Sequence, residues 1–150
     1  VRLFIEPVEE LAMLRGQEHR WTDLVLGESP VKLTGVAGDL YDIEAVFELG
    51  TAETVGIDVR GQRIEYSTKA KELTALGRKA PLELEDGRLF LRILVDRTSI
   101  EVFANRGRVQ AANCFLPTED QREVIVYASG GMAKAPTIGV WELRSIWDRE

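Results

Sequence analysis

Apolar and polar residues alternate through most of the chain, with the period of two that puts every second side chain on the buried face of a strand. From Leu40 to Leu49, Tyr41, Ile43, Ala45, Phe47 and Leu49 fall on one side, and Asp42, Glu44 and Glu48 on the other. Val55, Ile57 and Val59 repeat the pattern against Thr54, Asp58 and Arg60; Ile64 and Tyr66 do so against Arg63, Glu65 and Ser67. Short turns separate these runs, so they are expected to form an antiparallel meander with one dry face and one wet face. One helix stands out. Pro7 suits a first helical position, Glu9 and Glu10 suit the first turn, Val8, Leu11, Ala12 and Leu14 share a face, and Gly16 is a fitting stop. Many short strands, frequent glycine turns and one short helix predict an all-β fold, an antiparallel β-sandwich of two sheets of the jelly-roll or lectin-like kind. No repeat or linker divides the chain, so residues 1–16 read as a lead-in segment and 17–150 as a single sandwich domain.

The densest signal is the run from Leu89 to Asn105, Leu-Phe-Leu-Arg-Ile-Leu-Val-Asp-Arg-Thr-Ser-Ile-Glu-Val-Phe-Ala-Asn. Asp96 suits the start of a tight turn, where its carboxylate can accept a backbone N–H. A loop from Asp96 to Ser99 makes Val95 and Ile100 the closing pair, then pairs Ile93 with Val102 and Leu91 with Ala104. All of these are apolar and lie on one face. The other face sets Leu94 beside Glu101 and Arg92 beside Phe103, with Arg92 and Glu101 as diagonal neighbours and an expected ion pair. A slip of one residue would mix apolar with charged on both faces, so the register is well specified.

This hairpin, with Gly107 following, resembles a segment of the C-terminal β-sandwich of glycoside hydrolase family 32, the invertases, inulinases and levanases. Asp96, Ser99, Glu101 and Phe103 belong to that signature, in a structural role. Pro7 to Leu11 with Leu14-Arg15 is similar to the segment where the family's chain enters this domain. Gly38 to Glu44 is similar to its early strand, Val55-Gly56-Ile57 to the next, and Leu143 to Trp147 to its closing strand. Arg106 stands where the family commonly has an acidic residue. The resemblance implies that residues 1–16 lead in from a five-bladed catalytic β-propeller, whose carboxylates lie in a Trp-Met-Asn-Asp-Pro-like stretch, an Arg-Asp-Pro and a Glu-Cys. Here Trp21 is followed by Thr22-Asp23-Leu24, no Arg-Asp-Pro occurs, and Cys114 follows Asn113. A retaining glycosidase needs two carboxyls across the scissile bond. The resemblance therefore implies a non-catalytic half of a fructoside hydrolase.

Composition narrows the alternatives. Among 150 residues, 19 Lys and Arg against 25 Asp and Glu leave a formal charge of −6, with no basic stripe for nucleic acid. The single cysteine excludes an internal disulfide and the single histidine makes a Ser-His-Asp site a poor candidate. No apolar run is long enough for a membrane helix. No cofactor or metal is expected. The chain opens on Val1 without a basic, apolar leader, which reads as a cut end and leaves localisation unassigned.

Some residues invite a sharper reading. Asp96 and Glu101 could be imagined as an acid and nucleophile, but a turn cap and a cross-strand pair explain them. Asp39, Asp42 and Glu44 could suggest calcium, but alternation makes Asp42 and Glu44 a solvated strand face. Trp21, Trp141 and Trp147, with Tyr66 and Tyr127, are candidate sugar platforms, set against core packing or contact with a neighbouring domain. His19 is expected on a polar surface loop and Cys114 as a small buried hydrophobe. The expected partners are the propeller, then a glycan, then a weak homodimer favoured by salt.

Overall fold

The computed structural model describes residues 3–145. Within them, two six-stranded antiparallel sheets face each other. Sheet A runs in the order β1 (Arg15–Leu26), β12 (Ala133–Leu143), β3 (Tyr41–Glu48), β8 (Arg88–Val95), β9 (Ser99–Ala104), β10 (Val109–Cys114). Sheet B runs β2 (Val31–Lys32), β11 (Val124–Ser129), β4 (Thr54–Val59), β5 (Gln62–Ser67), β6 (Glu72–Ala75), β7 (Arg78–Pro81). Alternating side chains of both inner faces fill one core. Tyr41, Ile43, Phe47, Ile93, Val95, Ile100 and Val102 come from sheet A, and Val55, Ile57, Ile64, Tyr66 and Val126 from sheet B, all at most 2% exposed. This is the all-β sandwich that the alternation predicts.

The meander expected from 40 to 67 does not form as one unit. β3 pairs with β12 and β8 in sheet A, whereas β4 pairs with β11 and β5 in sheet B. The chain turns a corner between them. Leu49 and Ala52 dip into the core at 4% and 3% exposure, and Gly50 takes φ +53 against the Met132 carbonyl, which a Cβ there would meet at 2.6 Å. Both strands obey the same period of two, so alternation could not tell neighbours in one sheet from partners across the core. The true meander begins one strand later, at β4–β5–β6–β7.

The helix is a 3-10 segment, Glu9–Leu14, with no buried residue and no side-chain cap. Three residues per turn stack Val8, Leu11 and Leu14 on one line. Gly16 does not stop it: β1 already begins at Arg15. His19 also sits on β1 and not in a loop, half-buried with its ring stacked beside Trp21.

The hairpin register is the one read from sequence: Val95 opposite Ile100, Leu94 opposite Glu101, Ile93 opposite Val102, Arg92 opposite Phe103, Leu91 opposite Ala104. At the turn the Asp96 carboxylate accepts the Arg97 N–H at 2.6 Å, and the Asp96 N–H reaches the Ser99 carbonyl at 2.9 Å.

Candidate interaction surface

The outer face of sheet A holds the largest concentration of unusual side chains, because β3, β8, β9 and β12 present their alternate residues there. Across β12, β3, β8 and β9, Trp141, Asp42, Leu94 and Glu101 lie in register. Asp42 is the surprise. It stands on the side that alternation marks as wet, yet its exposure is 0%. Arg92 grips both of its oxygens at 3.1 and 3.0 Å, and Arg15 reaches it at 2.9 Å while also meeting Glu44 at 2.6 Å. The solvated face expected for Asp42 is thus corrected. Two guanidiniums from β1 and β8 roof the carboxylate, and their long stems exclude water. Arg92 consequently turns toward Asp42, so the Arg92–Glu101 ion pair expected from the hairpin gives way to it.

Trp141 lies under the same roof. It is 8% exposed, spread over Gly139, whose missing Cβ leaves room for the ring, and Arg15 sits 3.8 Å above its centroid. Guanidinium on indole is a favourable stack that occupies the face a sugar would need. Trp21 points to the opposite side of sheet A and packs against the core beside His19, with ring centroids 6.3 Å apart. The two tryptophans therefore make no common platform. Trp147 lies outside the described residues. Tyr66 is buried, its hydroxyl donating to the Leu82 carbonyl at 2.9 Å. Tyr127 alone among these aromatics lies on the outer face of sheet B, flat over Gly56 and donating to Glu65 at 2.6 Å.

Beside the charged roof the face becomes apolar. Val46, Phe90 and Phe103 floor a hollow of about 400 Å³, walled by Glu44 and Arg92 on one side and by Glu6, Pro7, Glu9 and Arg106 on the other. The lead-in chain lies along this hollow, held by the Ile5 N–H to the Gly107 carbonyl at 3.3 Å. Gly107 has φ +76, and a Cβ there would stand 2.0 Å from the Ile5 carbonyl oxygen, so only glycine lets the two backbones meet. Arg106, the departure from the family pattern, leans toward Glu85 at 3.9 Å and over Phe90 at 6.0 Å. Asn105 secures the same corner from inside. Fully buried at φ 44, it accepts the Phe90 N–H at 2.9 Å and donates to the Glu83 carbonyl at 2.8 Å.

Exposed apolar side chains cluster on this lead-in. Leu3, Phe4, Ile5, Val8 and Met13 account for five of the eight large exposed hydrophobics among the described residues. Arg60, placed by alternation on the wet face, is instead 5% exposed, because it turns at φ 49 and donates to the carbonyls of Gln121 and Asp39. Cys114, expected to be buried, is exposed on β10. Asp96 lies at an exposed turn, and Glu101 is half-buried between Leu94 and Ala112. Among the described residues no three His, Cys, Asp or Glu side chains converge as a metal site, and no helix is long and apolar enough to cross a membrane.

The class defined by these features is a two-sheet antiparallel β-sandwich with an apolar, partly covered outer face. The profile of "Glycosyl hydrolases family 32 C terminal" matches residues 10–142, and the chain belongs to that family of C-terminal domains. It is 30% identical to a levanase of Bacillus subtilis over 98% of the chain and 25% of that protein. A levanase of Bacillus sp. strain L7 is 33% identical over 98% of the chain and 19% of its own length. The chain thus spans a quarter or less of these relatives. Among solved structures, exo-inulinase from Aspergillus awamori superposes with a TM-score of 0.77 at 18% identity, over 97% of this chain and 33% of that one. Sucrose-6-phosphate hydrolase from Lactobacillus gasseri gives 0.73 at 20% identity, over 97% and 32%. At those identities the likeness is one of fold.

Proposed function

We propose that this domain serves as the structural partner of a catalytic β-propeller in the same polypeptide, docking through the outer face of sheet A, and that the whole enzyme hydrolyses β-fructosides such as levan. The observation that carries the docking reading is the apolar floor of Val46, Phe90 and Phe103, open on the outer face of sheet A and flanked by the lead-in at Glu6, Pro7 and Glu9. A contiguous apolar area rimmed by charge is the ordinary mark of a surface meant to be covered. The names of the levanase relatives, matched over a quarter of their length or less, support the substrate class. In this reading residues 1–16 are the lead-in and 17–150 the sandwich domain, with Arg15 and Gly16 at the end of the lead-in already on β1.

The test is hydrogen exchange on the chain alone and on the chain joined to the segment its gene encodes upstream. The docked form should protect the backbone of 6–9, 44–46, 90–92 and 103–107 and leave β5 to β7 unchanged. Protection confined to sheet B would refute the docking face. A second reading, an autonomous fructan-binding module, has the Tyr127 hydroxyl and Glu65 as its polar groups, although Gly56 backs the Tyr127 ring and Arg63 stands 5.3 Å from its centroid.

A further inference from the structure

Two open sheets have four edges, and three of these carry a device that discourages pairing with another strand. β1 bears Glu18, Arg20 and Asp23, its register slips between Arg15 and Glu18, and Asp23 takes φ 53. β2 has only two residues. β7 has four, with Arg78 and Lys79, and ends on Pro81. β10 has none of these devices. Val109–Cys114 runs six residues with neither charge nor proline, in unbroken register with β9.

The direction of its free groups follows from one bond. Phe115 donates to the Thr98 carbonyl at 2.9 Å, so odd-numbered residues of β10 exchange hydrogen bonds with β9. The N–H and C=O groups of Gln110, Ala112 and Cys114 therefore point away from the sheet. We infer that this edge pairs with the same edge of a second copy, antiparallel about a two-fold axis at Ala112. A strand that pairs antiparallel with itself satisfies every outward group on both copies at once. Gln110 then faces Cys114 of the second copy, and Ala112 faces its own counterpart, where a small side chain costs nothing. Leu116, 89% exposed, comes opposite the aliphatic stem of Arg108. Residues 109–116 carry no charge, so the −6 of each copy opposes the pairing only at long range, and salt weakens that opposition. The pairing uses the edge of sheet A and leaves its outer face free, so it stands apart from the docking reading.

Sedimentation equilibrium of the 150-residue chain at low and moderate salt tests it. The expected result is a concentration-dependent dimer that tightens with salt. Gln110→Pro removes an N–H that β9 does not use, and Ala112→Lys puts charge on the axis. Each should weaken the dimer at least about tenfold with an unchanged thermal midpoint. Gln110→Cys should give an oxidised, covalently linked dimer that disappears when Cys114→Ser is added. A monomer at every concentration, or a dimer indifferent to both Gln110→Pro and Ala112→Lys, would overturn the inference.

Discussion

Arg92 on β8 holds Asp42 on β3 by two parallel bonds, Nε to Oδ1 at 3.1 Å and Nη2 to Oδ2 at 3.0 Å, across adjacent strands. A carboxylate with no exposure is tolerable only while its lone pairs are filled, and Arg15 supplies the third bond. Asp42→Ala would leave the Arg15 and Arg92 guanidiniums facing one another without the carboxylate between them. The expected loss is about 2–4 kcal/mol, below the full cost of breaking a buried pair because both arginines are partly wet. The thermal midpoint should fall on the order of 10 °C. An unchanged midpoint would mean the cluster adds nothing to stability.

In the hairpin, Ile93→Ala and Val102→Ala each remove methyl groups from opposed positions that are 0% and 1% exposed. Each should cost roughly 1.5–4 kcal/mol, the isoleucine more than the valine, from lost burial and the cavity left behind. Urea denaturation measures this directly. The double variant should cost less than the sum, since the two cavities are shared.

Alkaline titration probes the three tyrosines. Burial, helped by Glu142, pushes the Tyr41 phenol up to about 12. Burial and Glu83 raise Tyr66; burial and the hydrogen bond to Glu65 raise Tyr127. Each folded value lies above the ordinary phenol near 10, so the folded state keeps protons that the unfolded chain would give up. The stability this contributes is complete below about pH 10 and drains away as pH rises toward 12. Tyrosinate absorbance should therefore appear together with loss of strand circular dichroism. Ionisation of all three phenols well before unfolding would contradict the burial argument.

The purified chain should not hydrolyse sucrose, inulin or levan. Asp96 caps a turn and Glu101 lies between Leu94 and Ala112, so turn and sheet roles account for both, whereas a retaining glycosidase sets two carboxyls across the scissile bond. Turnover that survives repeated purification and falls on Asp96→Asn or Glu101→Gln would reverse this. Calorimetric titration with fructo-oligosaccharides belongs beside it: saturable binding abolished by Tyr127→Ala would move the balance to the glycan-binding reading.

The hairpin was legible because its information is local: two alternating runs and an Asp turn admit one register. The core positions of β3, β4 and β5 were legible for the same reason. What could not be read was which sheet each strand joins, since β3 and β4 share a period but face each other across the core. Asp42 shows the limit most sharply. Its partners lie 27 and 50 residues away, and only the pairing order β1, β12, β3, β8 brings the three charges together. Arg60 and Cys114 failed in opposite directions. Arg60 leaves the strand period at a positive φ and folds inward, while Cys114 ends an edge strand with no sheet beyond it. The apolar lead-in was visible as Val8, Leu11 and Leu14, but of these only Val8 is among the large exposed hydrophobics, which Leu3, Phe4, Ile5 and Met13 join.

The placement of β12 governs when the molecule can come into being. It lies between β1 and β3, so Glu18 finds Trp141 and His19 finds Val140 only after more than a hundred intervening residues have been made. During synthesis sheet A must wait as a β3–β8–β9–β10 fragment with a raw border, and β1 must wait with no strand paired to it in the sheet. Closing such distant pairs is slow, and the border is sticky while it lasts. A nascent chain stalled before Ala133 would therefore be an unsealed sheet and a prime client for chaperones, and arrival of β12 would join both parts of sheet A in one step.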